Sequence, residues 1–455
     1  MKTAKHIFIT IPDNLRRSAI ARIILPVFLS FVMFAGCNDG SIATIKIAGL
    51  IFSLEDGSPI QNAVVFAVNK ANGQVSDMAT TGADGSYAVE VESAREGRNK
   101  PVNGAWDLNV AAAQYMAVPS FIRPSIAVTV ENFIPEENNS TYSDTLTDIG
   151  LASLKTSSEM FTVSGSLAGG EPGALVVLED CSAPPCPYGY TAGRGNFIVF
   201  NVPPGSYSAA AYKKEFSFEP TTVEIAADTD NVVINQQSGN PTGTVSGSVN
   251  IVNPGDGDAT SVVLVPESLF HEGLEKGILV PGLRAPDSGD PDVTGAYSIT
   301  GVPEGSYVVL AAFENDHLVR DPDPNIAGTQ IVRFTMPDGD SYTRDIDAFK
   351  ITGALNIVSP GAGDTPEALS ALTEVVFEDD SSEDQYDIVL FSMYGDTLWV
   401  KTIAGQSGGT QVSVAYDGPA LESGIYYQWK VTSSRKGGPI ATSEDLKGIF
   451  YIELQ

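Results

Sequence analysis

The sequence predicts an all-β chain built as four tandem β-sandwich domains. Three observations lead there. The phrase "VPPGSYSAAAY", Val202 to Tyr212, returns about one hundred residues later as "VPEGSYVVLAAF", Val302 to Phe313. Short runs of β-branched and aromatic residues alternate with turn formers, in a chain of 455 residues holding 44 Gly and 28 Pro. Self-similarity at so long a period marks repeated domains rather than a short solenoid repeat.

The N-terminal stretch stands apart. Lys2, Lys5, Arg16, Arg17 and Arg22 face one acid, Asp13, and the 13 residues "IILPVFLSFVMFA" that follow carry no charge. A membrane-spanning helix needs ~20 apolar residues. A basic region, a short apolar core and small residues after it read instead as an export signal over 1–36. The core ends in "FAGC", Phe34 to Cys37. This resembles the lipobox of bacterial lipoprotein signals, with Phe34 where Leu is usual. The resemblance implies that Cys37 is lipidated and becomes the first mature residue, anchoring the protein to a membrane through several acyl chains. Asn38, where Asp would imply inner-membrane retention, points to the outer membrane of the cell envelope. Residues 37–44 read as a polar tether.

Charge divides the chain sharply. Removing the +4 of the first 36 residues from the total of −30 leaves −34 on the remainder. Such a surface repels nucleic acid and anionic headgroups, and nucleic-acid binding is excluded as a function class. Of the three Cys, Cys181 and Cys186 lie in "EDCSAPPCPYGY". In an exported protein, two Cys this close predict a disulfide across one loop. A redox CxxC before a helix does not fit the spacing, and a zinc site would need further Cys or His nearby.

The repeat has three copies. "GNFIVFNVPPGSYSAAAY" aligns with "GAYSITGVPEGSYVVLAAF", placing Phe197 on Tyr297, Gly205 on Gly305 and Tyr207 on Tyr307. A weaker copy is split between "DGSYAVEV", Asp84 to Val91, and "AWDLNVAAAQY", Ala105 to Tyr115. Each copy has an opening strand containing Gly ("IKIAGLIF", "FTVSGSLA", "GTVSGSVNI") and a second, continuously apolar strand ("NAVVFAV", "GALVVLE", "TSVVLVP"). Pro and Gly between two apolar runs predict that the shared phrase is a hairpin. These elements resemble the carboxypeptidase regulatory-like domain, from Ile45 to about Phe349. The resemblance implies seven-stranded sandwiches of the transthyretin (prealbumin) type over 45–155, 160–238 and 242–352. It implies no peptidase activity.

Residues 353–455 differ. Strands are expected at "LNIVSP", "EVVFED", "YDIVLFSM", "DTLWVKTIA", "QVSVAY", "GIYYQWKVTS" and "GIFYIEL", a count that suits an immunoglobulin-like sandwich. In "GIYYQWKV", Ile425, Tyr427, Trp429 and Val431 share one face, with Tyr426, Gln428 and Lys430 on the other. "LESGIYYQWKV" is similar to strand F of a fibronectin type III domain and its preceding turn, with Phe377 where that family carries Trp.

Candidate chemistry is sparse, and the sequence predicts a non-enzyme. After the signal only His271 and His317 remain, which leaves no inventory for a hydrolytic triad or a His-rich zinc site. "GQSGG", Gly405 to Gly409, matches a nucleophile pattern but precedes a strand, and reads as a hairpin turn. Acidic loops offer Asp256 and Asp258; Asp287, Asp290 and Asp292; Asp321, Asp323 and Asn325; and Glu378 to Asp384. Their first reading is solvated loop acids, so no cofactor is expected. Their second is a structural Ca²⁺, best placed at Asp321, Asp323 and Asn325. Trp106, Trp399 and Trp429 fall in strand patterns and are expected in cores. Tyr188, Tyr190 and Tyr426 are the candidates for an exposed, glycan-stacking surface. Two functions are carried forward: a lipid-anchored scaffold or stalk presenting loops to a protein partner, and a carbohydrate-binding surface lipoprotein. With linkers "LKTSSEM" and "QSGNPTG" giving some independence, an extended array would project on the order of 100 Å or more.

Overall fold

The computed structural model describes residues 40–96, 102–134, 140–156, 158–287, 289–324, 330–337, 342–380, 382–406 and 410–454. The signal, Cys37, Asn325 and Ser407 lie outside the described residues. Regular structure within them is β-strand, with three short 3-10 turns.

Four β-sandwiches follow one another. In domain 1 the strand Gly40–Ser53 pairs antiparallel with Ser86–Glu96 and parallel with Ile149–Leu151. The facing sheet runs Ala79–Thr80, Val64–Asn69, Val102–Ala111, Ile126–Phe133. Domain 2 repeats the order: Phe161–Leu167 lies between Asn196–Val202 and a parallel Thr229–Gln236. Its second sheet runs Tyr188–Tyr190, Leu175–Glu179, Gly205–Tyr212, Thr221–Ile225. Domain 3 again sets Gly243–Ile251 between Ala296–Val302 and a parallel Phe349–Gly353, under Arg284–Ala285, Val262–Pro266, Gly305–Ala311, Val332–Met336. Domain 4 has a three-stranded sheet, Ile357–Ser359, Glu374–Glu378, Gln411–Ala415. Its larger sheet is centred on Tyr426–Arg435, flanked by Gln385–Ser392 and Ile449–Ile452.

The repeated phrase is not a hairpin. Asn196–Val202 and Gly205–Tyr212 belong to opposite sheets, as do Ala296–Val302 and Gly305–Ala311. Pro203-Pro204-Gly205 therefore carries the chain across the sandwich. The Tyr that follows closes the corner: the Tyr207 hydroxyl donates to the Pro203 carbonyl and the Tyr307 hydroxyl to the Pro303 carbonyl, both at 2.9 Å. Those bonds tie each new strand to the turn before it, a tether that paired hairpin strands would not require. The strands on either side of "GQSGG", Thr397–Ala404 and Gln411–Ala415, belong to opposite sheets, and Ser407 to Gly409 between them lie outside the described residues.

The glycine of each opening strand has a steric cause. Gly49, Gly165 and Gly247 sit directly opposite Tyr87, Phe197 and Tyr297 on the neighbouring strand. In domain 2 a Cβ on Gly165 would lie 2.0 Å from the Val232 carbonyl oxygen and 2.6 Å from the Phe197 ring. In domain 3 a Cβ on Gly247 would lie 2.6 Å from the Tyr297 hydroxyl. The ring takes the space the glycine leaves.

Two expectations change. Gly40–Thr44, read as tether, continues the first strand, paired with Glu92–Glu96. The inward alternation that buries Ile45 and Ile47 already includes Ala43, so the sheet extends upstream. The domains are also not an extended string. Leu175, Val177, Ala210 and Tyr212 of domain 2 share one hydrophobic core with Val262, Leu264 and Tyr307 of domain 3. Ile122 and Ala152 of domain 1 pack into the core of domain 4. The apolar second strands explain this: Val176 and Leu178 face their own sandwich while Leu175 and Val177 face the neighbour.

Replacing Gly165 with Ala should destabilise domain 2 by about 1–3 kcal/mol, because neither the Val232 backbone nor the buried ring can retreat freely. Urea unfolding should show a lower midpoint at unchanged slope; an unaltered midpoint would contradict the close approach.

Candidate functional site at the domain junction

The structure gathers several sequence-selected residues where the domains meet. Cys181 and Cys186 are disulfide-bonded. Their loop is a docking element, since the Cys186 N–H donates to the Ser268 carbonyl of domain 3 at 2.9 Å. The strand that follows holds Tyr188 and Tyr190. Tyr188 donates to the Pro119 carbonyl of domain 1 at 3.3 Å, and Tyr190 lies 6.3 Å from the Phe66 ring with its hydroxyl near the Leu279 carbonyl of domain 3. Burial pushes both phenols well above their ordinary range.

These tyrosines are therefore not an exposed sugar platform. Tyr426 is covered too: the Arg123 guanidinium of domain 1 sits 4.8 Å from its ring centre, and Tyr451 stacks beside it at 5.1 Å. The face of Tyr426–Arg435 expected to meet water meets neighbouring segments instead, so Gln428 is fully buried and its amide donates to the Asp445 and Lys447 carbonyls. Trp106, Trp399 and Trp429 lie in cores.

His271 belongs to the same junction. Its Nδ1 accepts the Leu274 N–H at 3.2 Å and its ring meets Phe121 of domain 1 edge-on at 5.8 Å. His317 lies in another loop, where its N–H donates to Glu444 Oε1 of domain 4 at 2.7 Å.

Asp321 and Asp323 are buried. Asp321 pairs with Lys350 Nζ at 2.8 Å and accepts the Asp323 N–H at 2.8 Å. A lysine thus occupies one carboxylate oxygen of the best calcium candidate. Among the described residues no group of three or more His, Cys, Asp or Glu is arranged to hold a metal ion.

Sequence reasoning missed the residues that join domains 3 and 4 and domains 1 and 4. Arg123 is 5% exposed and donates to the Gly150 carbonyl at 2.7 Å. Lys155 pairs with Glu422, and Tyr394 donates to the Ser153 carbonyl at 3.1 Å. Glu444 is buried against the His317 loop. One available signal was Gln428, an amide set between the aromatic residues Tyr427 and Trp429.

No family model and no curated protein matches the chain. Among solved structures, it is similar to the Bacillus anthracis TIE protein at 10% identity, covering 96% of this chain and 78% of that one, with a TM-score of 0.16. A streptococcal ancillary pilin is similar at 12% identity over 68% of this chain and 99% of its own, TM-score 0.18. Dimeric latent PorU from Porphyromonas gingivalis is similar at 10% identity over 91% and 34%, TM-score 0.19. Likenesses this loose bear on neither activity nor partners.

Burial raises the Glu444 carboxyl above its ordinary range, with nearby Asp316 adding to the rise and the His317 N–H and Lys447 opposing it. A carboxyl raised in the folded state holds its proton more tightly there than in the unfolded chain. Its contribution is fully present below the unfolded value, about 4.3, and is lost as pH rises through the folded one. Glu444→Gln keeps an acceptor for the His317 N–H without the charge. The variant should melt at a higher temperature than the parent at pH 7, with the difference vanishing by about pH 4. Scanning calorimetry at both pH values reads this directly.

Proposed function

We propose that the chain is a non-catalytic, lipid-anchored scaffold of the cell envelope, held through acylated Cys37 in the outer membrane and presenting loops to a protein partner. The first three domains are read as carboxypeptidase regulatory-like sandwiches and the fourth as fibronectin type III-like. The shared strand order of the first three, with the Gly–aromatic pair in each, supports the common ancestry of that trio.

One observation carries the scaffold reading. Apolar outer faces of the sandwiches are spent on one another, so the body is a platform rather than a chain of hinged beads. The His271 ring supports it, being engaged by the Leu274 N–H and by Phe121. With the first strand beginning at Gly40, lipid on Cys37 would place domain 1 within roughly 10 Å of the headgroups, at ~3.3–3.6 Å per residue. The platform then lies close to its membrane, and its acidic surface keeps it from adhering to anionic lipid.

Two measurements test this. Mass spectrometry of the N-terminal peptide from a diderm bacterial host should find acyl chains on Cys37, and Cys37→Ser should move the protein from the membrane to the soluble fraction. An unmodified Cys37 in membrane-bound protein would remove the anchor. Small-angle scattering of the soluble variant should give a radius of gyration of about 22–25 Å, as for a compact body of this length. A value above ~30 Å would restore the extended string.

A further inference from the structure

A crevice of about 350 Å³ lies at the junction. All four domains line it, through Phe121 of domain 1, Tyr190 of domain 2, Leu279 of domain 3 and Leu446 of domain 4. Its size falls in the range of small-molecule sites, and most of its lining is apolar.

Among the polar residues of that lining, which include Ser120, Ser125, Asp364 and Thr365, two carry buried side-chain atoms without a partner. Lys276 is 1% exposed, and its Nζ has no hydrogen-bond partner among the described residues. The side-chain oxygen of Asn315 is likewise buried and unpartnered among them. Both residues line the crevice. Asp445 is the acid whose charge acts on Lys276, but Lys430 Nζ already holds that carboxylate at 2.8 Å. Burial foremost, then the Lys430 charge, push the Lys276 amine down to about 7, with Asp445 opposing. Asp364, on the rim, is held by Lys447 at 2.8 Å.

In its protonated form the Lys276 amine can only donate, and donors left idle in a dry site are costly unless an acceptor arrives; an anionic ligand would itself favour that form. A charged oxygen acceptor answers that need best. The surrounding walls ask for an apolar body. The rest of the protein repels anions, so the unmatched amine makes this crevice a locally favourable place for one.

We propose that the crevice binds a small apolar molecule bearing one carboxylate or comparable oxyanion, with Lys276 Nζ donating to the anionic head and the Asn315 oxygen accepting from a ligand hydroxyl or N–H. The site exists only where the four sandwiches meet, so occupancy would brace the platform. It is independent of the lipid anchor.

The test uses the full chain and two fluorescent probes of one shape. 1-Anilinonaphthalene-8-sulfonate carries an anionic head; N-phenyl-1-naphthylamine lacks it. The anionic dye should bind one-to-one and saturably. Lys276→Met, which keeps the length of the side chain and removes its donors, should weaken the anionic dye about tenfold or more and leave the neutral dye unchanged. Thr365→Trp alters an exposed rim position and should block both dyes, whatever Lys276→Met does to folding. Absence of saturable binding overturns the proposal. So does anionic-dye affinity unmoved by Lys276→Met, or affinity for both dyes unmoved by Thr365→Trp.

Discussion

The structure depends on β-sheets that are apolar on both faces. In Leu175–Glu179 the side chains alternate between two cores, not between a core and water. Val262–Pro266 does the same, with Val262 and Leu264 in one cluster and Val263 and Val265 in another. A sandwich with such a sheet cannot stand alone without exposing a contiguous apolar patch. Domain packing is thus a consequence of strand composition. The short linkers permit the arrangement but do not determine it.

This constraint explains what the sequence disclosed and what it withheld. Continuous runs such as "GALVVLE" and "TSVVLVP" identified strands and, by lacking alternation, already signalled burial on both sides. The all-β class, the disulfide and the burial of the three Trp were legible from residue types and spacing. The extended array was drawn from linker polarity, which reports solvent contact of a few residues and nothing about sheet faces. Tyr188, Tyr190 and Tyr426 were misjudged for the same reason. Period-two alternation says which residues share a face; whether that face meets water is decided by residues hundreds of positions away, such as Arg123 over Tyr426.

The repeated phrase shows a subtler limit. Pro-Pro-Gly and Pro-Glu-Gly were correctly read as turns, but a turn between two strands can join neighbours in one sheet or cross to the other. The deciding feature is the aromatic on each side. Phe197 and Tyr297 must lie over Gly165 and Gly247 of the opening strands, which fixes the strand before the turn to one sheet. Tyr207 and Tyr307 anchor the strand after it to the other. Local propensity sets the turn; the ring–glycine fit sets the topology. The two copies even meet, with Tyr212 of one domain edge-on to Tyr307 of the next at 5.9 Å.

Charge follows the same geometry. The chain has 26 basic residues against 56 acidic ones, so each cation has many acids to choose from. Several are placed where domains join: Lys155 with Glu422, Lys214 with Asp287, Arg194 near Asp77, and Arg123 and Lys430 inside the junction. An exposed pair of this kind contributes little, about 0–1 kcal/mol. Its effect is on register rather than on stability. Mutual repulsion among so many acids would drive four independent beads apart, and the apolar faces would hold them together in any orientation that covers area. Cations at the seams remove repulsion where contact is needed and leave it everywhere else, so the charge imbalance favours one arrangement of the four sandwiches over the rest.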